Sequence, residues 1–121
     1  MTLPAVATPD EITVLQETRK TVRISEPVKD YITEMVRATR NSPSLRFGAS
    51  PRGSLGLMRA GQALAGLQGR EYVLPDDIKR LARPVLAHRI ILREEERLRG
   101  KTPEIILEEI LSRIPVPAPT V

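Results

Sequence analysis

An all-α domain is the fold this chain predicts, and three observations predict it. Apolar residues make up 40% of its 121 residues, yet they include only one Phe, two Tyr and no Trp. Ala, Val, Ile and Leu are left to build the core, and aliphatic residues at helical spacing pack readily as helices. Capping or acidic residues beside a proline recur at the head of each periodic segment, which is how helices start. The expectation is a small bundle of about five helices, with one or two very short extended bridges. The length suits one domain with one core.

Thr8-Pro9-Asp10-Glu11 starts the first helix, which carries Ile12 and Leu15 and ends near Lys20. Val22-Arg23-Ile24 alternates like a very short strand. Ser25-Glu26-Pro27 starts a second helix with Val28, Tyr31, Ile32, Met35, Val36 and Thr39 on one face. Lys29, Asp30, Thr33, Glu34 and Arg37 lie opposite, and Asn41-Ser42-Pro43 stops it. A third helix runs from Pro51 to about Gln68, with Gly69 as its C-terminal stop. Leu57, Ala60, Leu64 and Leu67 mark its main face, widened by Gly56 and Ala63, while Leu55 and Met58 point elsewhere. Gly53, Gly56, Gly61 and Gly66 each lower its helix propensity by about 1 kcal/mol relative to Ala. Close packing against a neighbour has to compensate, so this helix is expected at the centre.

Tyr72-Val73 is briefly extended and is expected to bridge to the Val22–Ile24 segment. Pro75-Asp76-Asp77 begins a fourth helix through Ile78, Leu81, Ala82, Val85 and Leu86, which Pro84 should bend. Arg89 to Leu92 reads as extended, and Arg93 to Lys101 as a charged connection. Thr102-Pro103-Glu104 opens the last helix, with Ile106, Leu107, Ile110, Leu111 and Ile114 on one face. The domain is expected to span residues 8–114. Residues 1–7 read as a flexible N-terminus or one left by excision from a longer chain, and residues 115–121 as a loose Pro-rich tail.

Cysteine is absent, so disulfides and thiol-bound metal are excluded, in keeping with a reducing cytoplasm. The lone histidine, His88, has no acid partner at metal spacing, which leaves no metal site and a packing or capping role. No run is long enough to span a membrane. The net charge of +4 comes from scattered arginines rather than a dense stripe, so nucleic acid is not the expected partner.

Arg52 stands out. Ser50 has the cap position of the third helix, able to accept from the first free amides, and Pro51 the first helical position. Arg52 therefore falls in the first turn, where the dipole is positive and a cation is disfavoured. An anion bound there reverses the sign, because free amides and a guanidinium then converge on it. A phosphate is the natural candidate. The chain nonetheless lacks a Gly-rich loop ending in Gly-Lys-Ser/Thr, so it looks like half of a phosphate site.

Four blocks carry a family resemblance: Val36-Arg37-Ala38-Thr39-Arg40, Gly48-Ala49-Ser50-Pro51-Arg52, Tyr72 to Lys79 (YVLPDDIK), and Leu86-Ala87-His88-Arg89. In this order they resemble the C-terminal lid subdomain of MoxR-group AAA+ ATPases, relatives of magnesium chelatase and the MCM helicases. The resemblance runs from about Thr8 to Pro117. It implies that Arg52 is the sensor 2 residue, reaching the phosphates of ATP held with Mg2+ by a large subdomain. The Walker A and B elements, sensor 1 and the arginine finger belong to that subdomain. The partners it implies are the large subdomain, neighbouring subunits of a hexameric ring and a von Willebrand factor A domain protein. Chaperone-like or metal-insertion work on client proteins would follow, and the isolated lid would not be an enzyme.

Among the other polar residues, Arg46, Ser50 and Pro51 are accessory candidates for nucleotide or a neighbouring subunit. Ser50 and Pro51 also read simply as a cap, and Arg46 as a solvated loop residue. Leu55 and Met58 are candidates for interdomain packing. Arg37 and Arg40 read as cations at a helix C-terminus, and Asp76 and Asp77 as acids at a helix N-terminus. Glu94-Glu95-Glu96 among Arg93, Arg97 and Arg99 reads as a salt-bridged face. On the residues alone, a free-standing helical interaction module and a histone-like DNA-binding domain stay open as alternatives.

Overall fold

The computed structural model describes residues 9–117, with the side chains of residues 15, 16 and 18–20 undescribed. The expected cap at Thr8, the N-terminal segment and the last four residues lie outside the described residues. Six α-helices are described: α1 (Pro9–Thr21), α2 (Glu26–Arg40), α3 (Pro51–Leu67), α4 (Pro75–Leu86), α5 (Glu94–Leu98) and α6 (Pro103–Leu111). A 3-10 turn over Ala87–Arg89 extends α4, and two short strands, β1 (Leu45–Phe47) and β2 (Ile91–Leu92), pair antiparallel. The all-α expectation holds. The additional helix, α5, is a five-residue element inside the segment expected to be a charged connection, where Arg99 pairs with Glu96.

α3 runs through the centre, packed against α1, α2 and α4, while α6 closes the far side of α2 and α4. α2 buries Val28, Tyr31, Ile32, Met35, Val36 and Thr39, the face its periodicity predicts. α6 buries Ile106, Leu107, Ile110 and Leu111, with Ile114 packed against the core. Its cap is Thr102, whose Oγ1 accepts from the Ile105 amide at 3.2 Å. In α1, Ile12 is exposed.

The expected face of α3 needs correction. Its buried residues are Gly53, Leu57, Gly61 and Ala65, a straight four-residue stripe, whereas Ala63 and Leu67 are exposed. The reason is distance. A Cβ on Gly61 would stand 2.8 Å from Ile78 Cδ1, and one on Gly53 3.0 Å from Leu86 Cδ2. Helix α4 comes too close for a row of leucines, so the smallest residues take the contact and the larger ones turn to the flanks.

The expected bridge is present: Arg23 and Tyr72 pair in parallel. The Arg23 amide donates to Glu71 O at 2.8 Å, and the Val73 amide to Arg23 O at 2.9 Å. Below it, Asp77 is buried and accepts both Arg70 guanidinium nitrogens at 2.7 Å. Its Oδ2 also accepts the Leu74 amide at 2.8 Å, so one carboxylate caps α4 and holds the segment leading out of α3. The reading of Asp77 as merely a dipole-complementing acid is corrected; Asp76 stays exposed.

Hydrogen bonding to Asp77 raises the Arg70 pKa above its ordinary value. A raised pKa keeps its stabilising effect at every pH below that ordinary value, so Arg70 brings no pH dependence near neutrality. Breaking a buried pair of this kind leaves an uncompensated charge and an uncapped amide. Asp77→Ala is therefore expected to lower stability by about 3 kcal/mol, read as a lower urea midpoint at unchanged slope. An unchanged midpoint would show that the pair contributes nothing net.

Candidate anion site at the start of α3

The site is built where α2 ends and α3 begins. Thr39, fully buried on α2, donates its hydroxyl to Val36 O at 2.6 Å and accepts the Ala49 amide at 2.9 Å. One residue on, Arg40 Nε donates to Ala49 O at 3.0 Å. Ala49 itself is fully buried, so both of its backbone groups are satisfied by two adjacent residues of α2. Gly48 lies flush against the same turn: a Cβ there would stand 2.5 Å from the Arg40 nitrogen and the Thr39 carbonyl. Only glycine fits that approach.

From this anchored residue the chain turns directly into α3. Ser50 is the cap residue with extended backbone, φ −88° and ψ 173°, and Pro51 occupies the first helical position. The expected side-chain cap is not made; instead Ser50 O accepts the Gly53 amide at 2.8 Å. The Ser50 hydroxyl is thereby left without an amide partner. Arg52 is exposed in the first turn, and that turn contains no acid. Among the described residues no side-chain partner holds its guanidinium.

Further cations surround this helix start. The stem of Arg89 lies over it, with Cδ 3.8 Å from where a Gly53 Cβ would be. A groove of about 150 Å3 runs beside it, lined by Thr33, Val36, Arg37, Arg40, Pro51 and Ser54. A positive helix end, an unpaired Arg52 and neighbouring guanidiniums form an electropositive surface with chemistry suited to a phosphate oxygen.

The remaining candidates are dispersed. Arg46 sits on β1 rather than in a loop, with its guanidinium 5.6 Å from the Phe47 ring centroid. Phe47 pairs with Ile91 and Leu45 with Leu92, with an irregularity between Leu45 and Phe47. A regular strand would put Leu45 and Phe47 on one face; here Leu45 is buried while Phe47 and Ile91 are exposed. Leu55 is exposed, whereas Met58 is half-buried against the core. His88 is exposed on the 3-10 turn, so the packing role expected for it is corrected. No group of three or more acids or histidines gathers at metal-binding distance among the described residues.

Sequence reasoning assigned Arg40 to the helix dipole alone and gave Thr39 no function beyond its place on the buried face. The overlooked signal was a hydroxyl on an otherwise apolar face, which has to find partners when buried. Gly48, ten residues after Ala38 and outside any helix, was the matching signal for a close backbone approach.

Comparison with known proteins bears on the same region. The AAA lid domain family model matches residues 37–110. The chain is 44% identical over 116 residues to the uncharacterized protein YeaC of Bacillus subtilis, covering 96% of this chain and 36% of that protein. It is 34% identical over 112 residues to chaperone MoxR1 of Mycobacterium tuberculosis, covering 85% of this chain and 30% of that one. Protein MoxR of Paracoccus denitrificans is 38% identical over 109 residues, 78% of this chain and 32% of its own. A crystal structure from Cytophaga hutchinsonii, provisionally described as an ATPase, superposes with a TM-score of 0.84 at 34% identity. That match covers 90% of this chain and 36% of the other. The chain thus spans about a third of the length of the curated relatives it matches.

Gly48→Ala tests the anchoring directly, because its methyl group would meet backbone atoms that cannot swing aside. The expected loss of stability is about 2–3 kcal/mol, at the upper end for overpacking. Thermal unfolding measures it, and a melting temperature unchanged from that of the parent chain would overturn the close-approach argument.

Proposed function

This chain belongs to the AAA lid domain family, as the lid region of a MoxR-type AAA+ ATPase, and from that premise we propose that it closes over bound ATP and applies Arg52 to the phosphates. The observation that carries this reading is the unpaired, exposed Arg52 in an acid-free first turn of α3. A guanidinium so placed is a mildly unfavourable feature of the isolated fold. An anion supplied from outside turns it into a favourable one.

The ATP phosphates fit this end of α3 by charge and by free donors. Magnesium has no matching set of acids on this chain's described residues, so in this reading it arrives with ATP on the large subdomain. ATP supplies the phosphoryl group and its leaving charge. Arg52 binds the β- and γ-phosphate oxygens, and its charge favours the transition state in which negative charge builds on them. Once the γ-phosphate has gone, the contact weakens and the lid is released to rotate as a rigid body. Leu55, exposed a turn further along α3, offers apolar surface to the large subdomain. Ser50 and Pro51 form this same helix start while Arg46 lies on β1, and all three are accessory contacts to nucleotide or to a neighbouring ring subunit.

The wider role follows the relatives. The Mycobacterium tuberculosis protein bears the name chaperone, and we assign the same class of work to the parent of this lid. That work is remodelling of client proteins or metal insertion into them by a cytoplasmic hexameric ring, with a von Willebrand factor A domain protein as partner.

Two measurements test the proposal. Arg52→Ala in the complete ATPase is expected to lower turnover by about tenfold to a thousandfold, the range for losing one transition-state donor. Unfolding of the lid should shift by less than about 0.5 kcal/mol, or even become slightly more favourable to the fold. Normal turnover combined with a lid destabilised by several kcal/mol would make Arg52 a structural residue. The lid by itself should show no ATP turnover; hydrolysis by a purified sample that is lost in Arg52→Ala would overturn its assignment as a non-enzymatic fragment.

A further inference from the structure

Resting on that reading of Arg52, we infer that Thr39 and Arg40 are positioning residues for the phosphate contact, holding the guanidinium in place through the backbone of Ala49. The bonding is complete and has no slack. The Thr39 hydroxyl has one proton, given to Val36 O at 2.6 Å, and it accepts the Ala49 amide at 2.9 Å. Arg40 Nε donates to the Ala49 carbonyl at 3.0 Å. Ala49 is thereby fixed at both ends of its peptide frame, three residues before Arg52 and with Pro51 stiffening the interval.

The alternative anchor for this helix start would have been its own cap, but the Ser50 side chain makes no cap bond. The position of the first turn is therefore set from outside α3, by the last turn of α2. Losing the hydroxyl leaves the Ala49 amide buried without a partner. The chain then relieves that by shifting the 48–50 segment, and the shift is inherited by Arg52. A misplacement on the order of 1 Å is enough to cost about a hundredfold in a positioned contact.

The test is a cycle in the complete ATPase with Thr39→Val, Arg52→Ala and the double variant, with Thr39→Ser as the conservative control. Thr39→Val, which keeps the shape and removes the hydroxyl, is expected to lower kcat by about tenfold or more, with a smaller change in KM for ATP. Thr39→Ser should restore turnover to within about twofold of the parent enzyme, because the hydroxyl returns. The double variant should turn over as slowly as Arg52→Ala alone, since Thr39 acts through that residue.

Effects of the two substitutions that multiply in the double variant would overturn the inference, as would normal turnover in Thr39→Val beside an impaired Arg52→Ala. Normal turnover in Arg52→Ala would instead remove the phosphate-contact reading on which the inference rests. If Thr39→Val does not yield folded enzyme, Arg40→Met takes its place in the same cycle. It cuts the other half of the anchor while leaving the buried hydroxyl network intact, and the same outcomes decide.

Discussion

Everything in this lid depends on how closely α3 can be approached. Its buried stripe is Gly53, Leu57, Gly61 and Ala65, so a single large side chain faces the neighbouring helix and the other three contacts are nearly backbone. Glycine in a helix interior costs about 1 kcal/mol relative to alanine. Here the cost is offset because Ile78, Leu86 and Val73 reach the α3 surface and fill the space that side chains would have taken. Leu57, Ile78 and Leu86 are each fully buried as a result. A thicker α3 would push α4 outward and open the centre of a small core in which Tyr31 is the one aromatic residue among the described buried residues.

A helix so bare of side chains holds its ends poorly, and the structure fastens both by polar contacts from elsewhere. At the C-terminal end, Gly69 turns the chain with φ +74°, and Arg70 then meets the buried Asp77 of α4. At the N-terminal end, Thr39 and Arg40 of α2 hold Ala49. Each fastening uses a buried polar group that is fully paired, which is where such groups specify position rather than add net stability. The apolar stripe determines how deep α3 lies, and the two fastenings determine where along its axis it stops.

Much of this was legible in the sequence, and the failures share one physical origin. The faces of α2 and α6 followed from periodicity, because each packs on one side only and a single-sided helix writes its burial into its spacing. The bridge between Arg23 and Tyr72 was legible because two short extended segments each run into a helix headed by proline. The stripe on α3 was misread because Leu64 and Leu67 were counted with Leu57 on the buried face, whereas Gly53, Gly61 and Ala65 share it with Leu57 and Leu67 is exposed. β1 went unseen because three residues carry no usable period, and its partner β2 lies far along the chain. At the site, the position of Arg52 in the first turn of α3 was legible from local rules for helix starts. The missing side-chain cap at Ser50, the bond from Arg40 to Ala49 and the pairing of Asp77 with Arg70 were not, because local rules assign such residues to the nearest helix end. Tertiary contacts reassigned Arg40 and Asp77.

The start of α3 carries positive charge with little beside it to neutralise it. Some surface cations of this chain do find an acid: Glu108 pairs with Arg83, and Glu109 with Lys101. The first turn of α3 contains none, although it is the place where an acid would be most stabilising. Nor is the helix end sealed by its own cap, since the Ser50 side chain bonds no amide. Both omissions leave the fold slightly less stable than it could be, and both keep donors available on one small area of surface. An acid at this position would compete with any incoming phosphate for Arg52, and a closed cap would occupy an amide that the phosphate could use. The local sequence gives up stability at a place where a bound anion would return it.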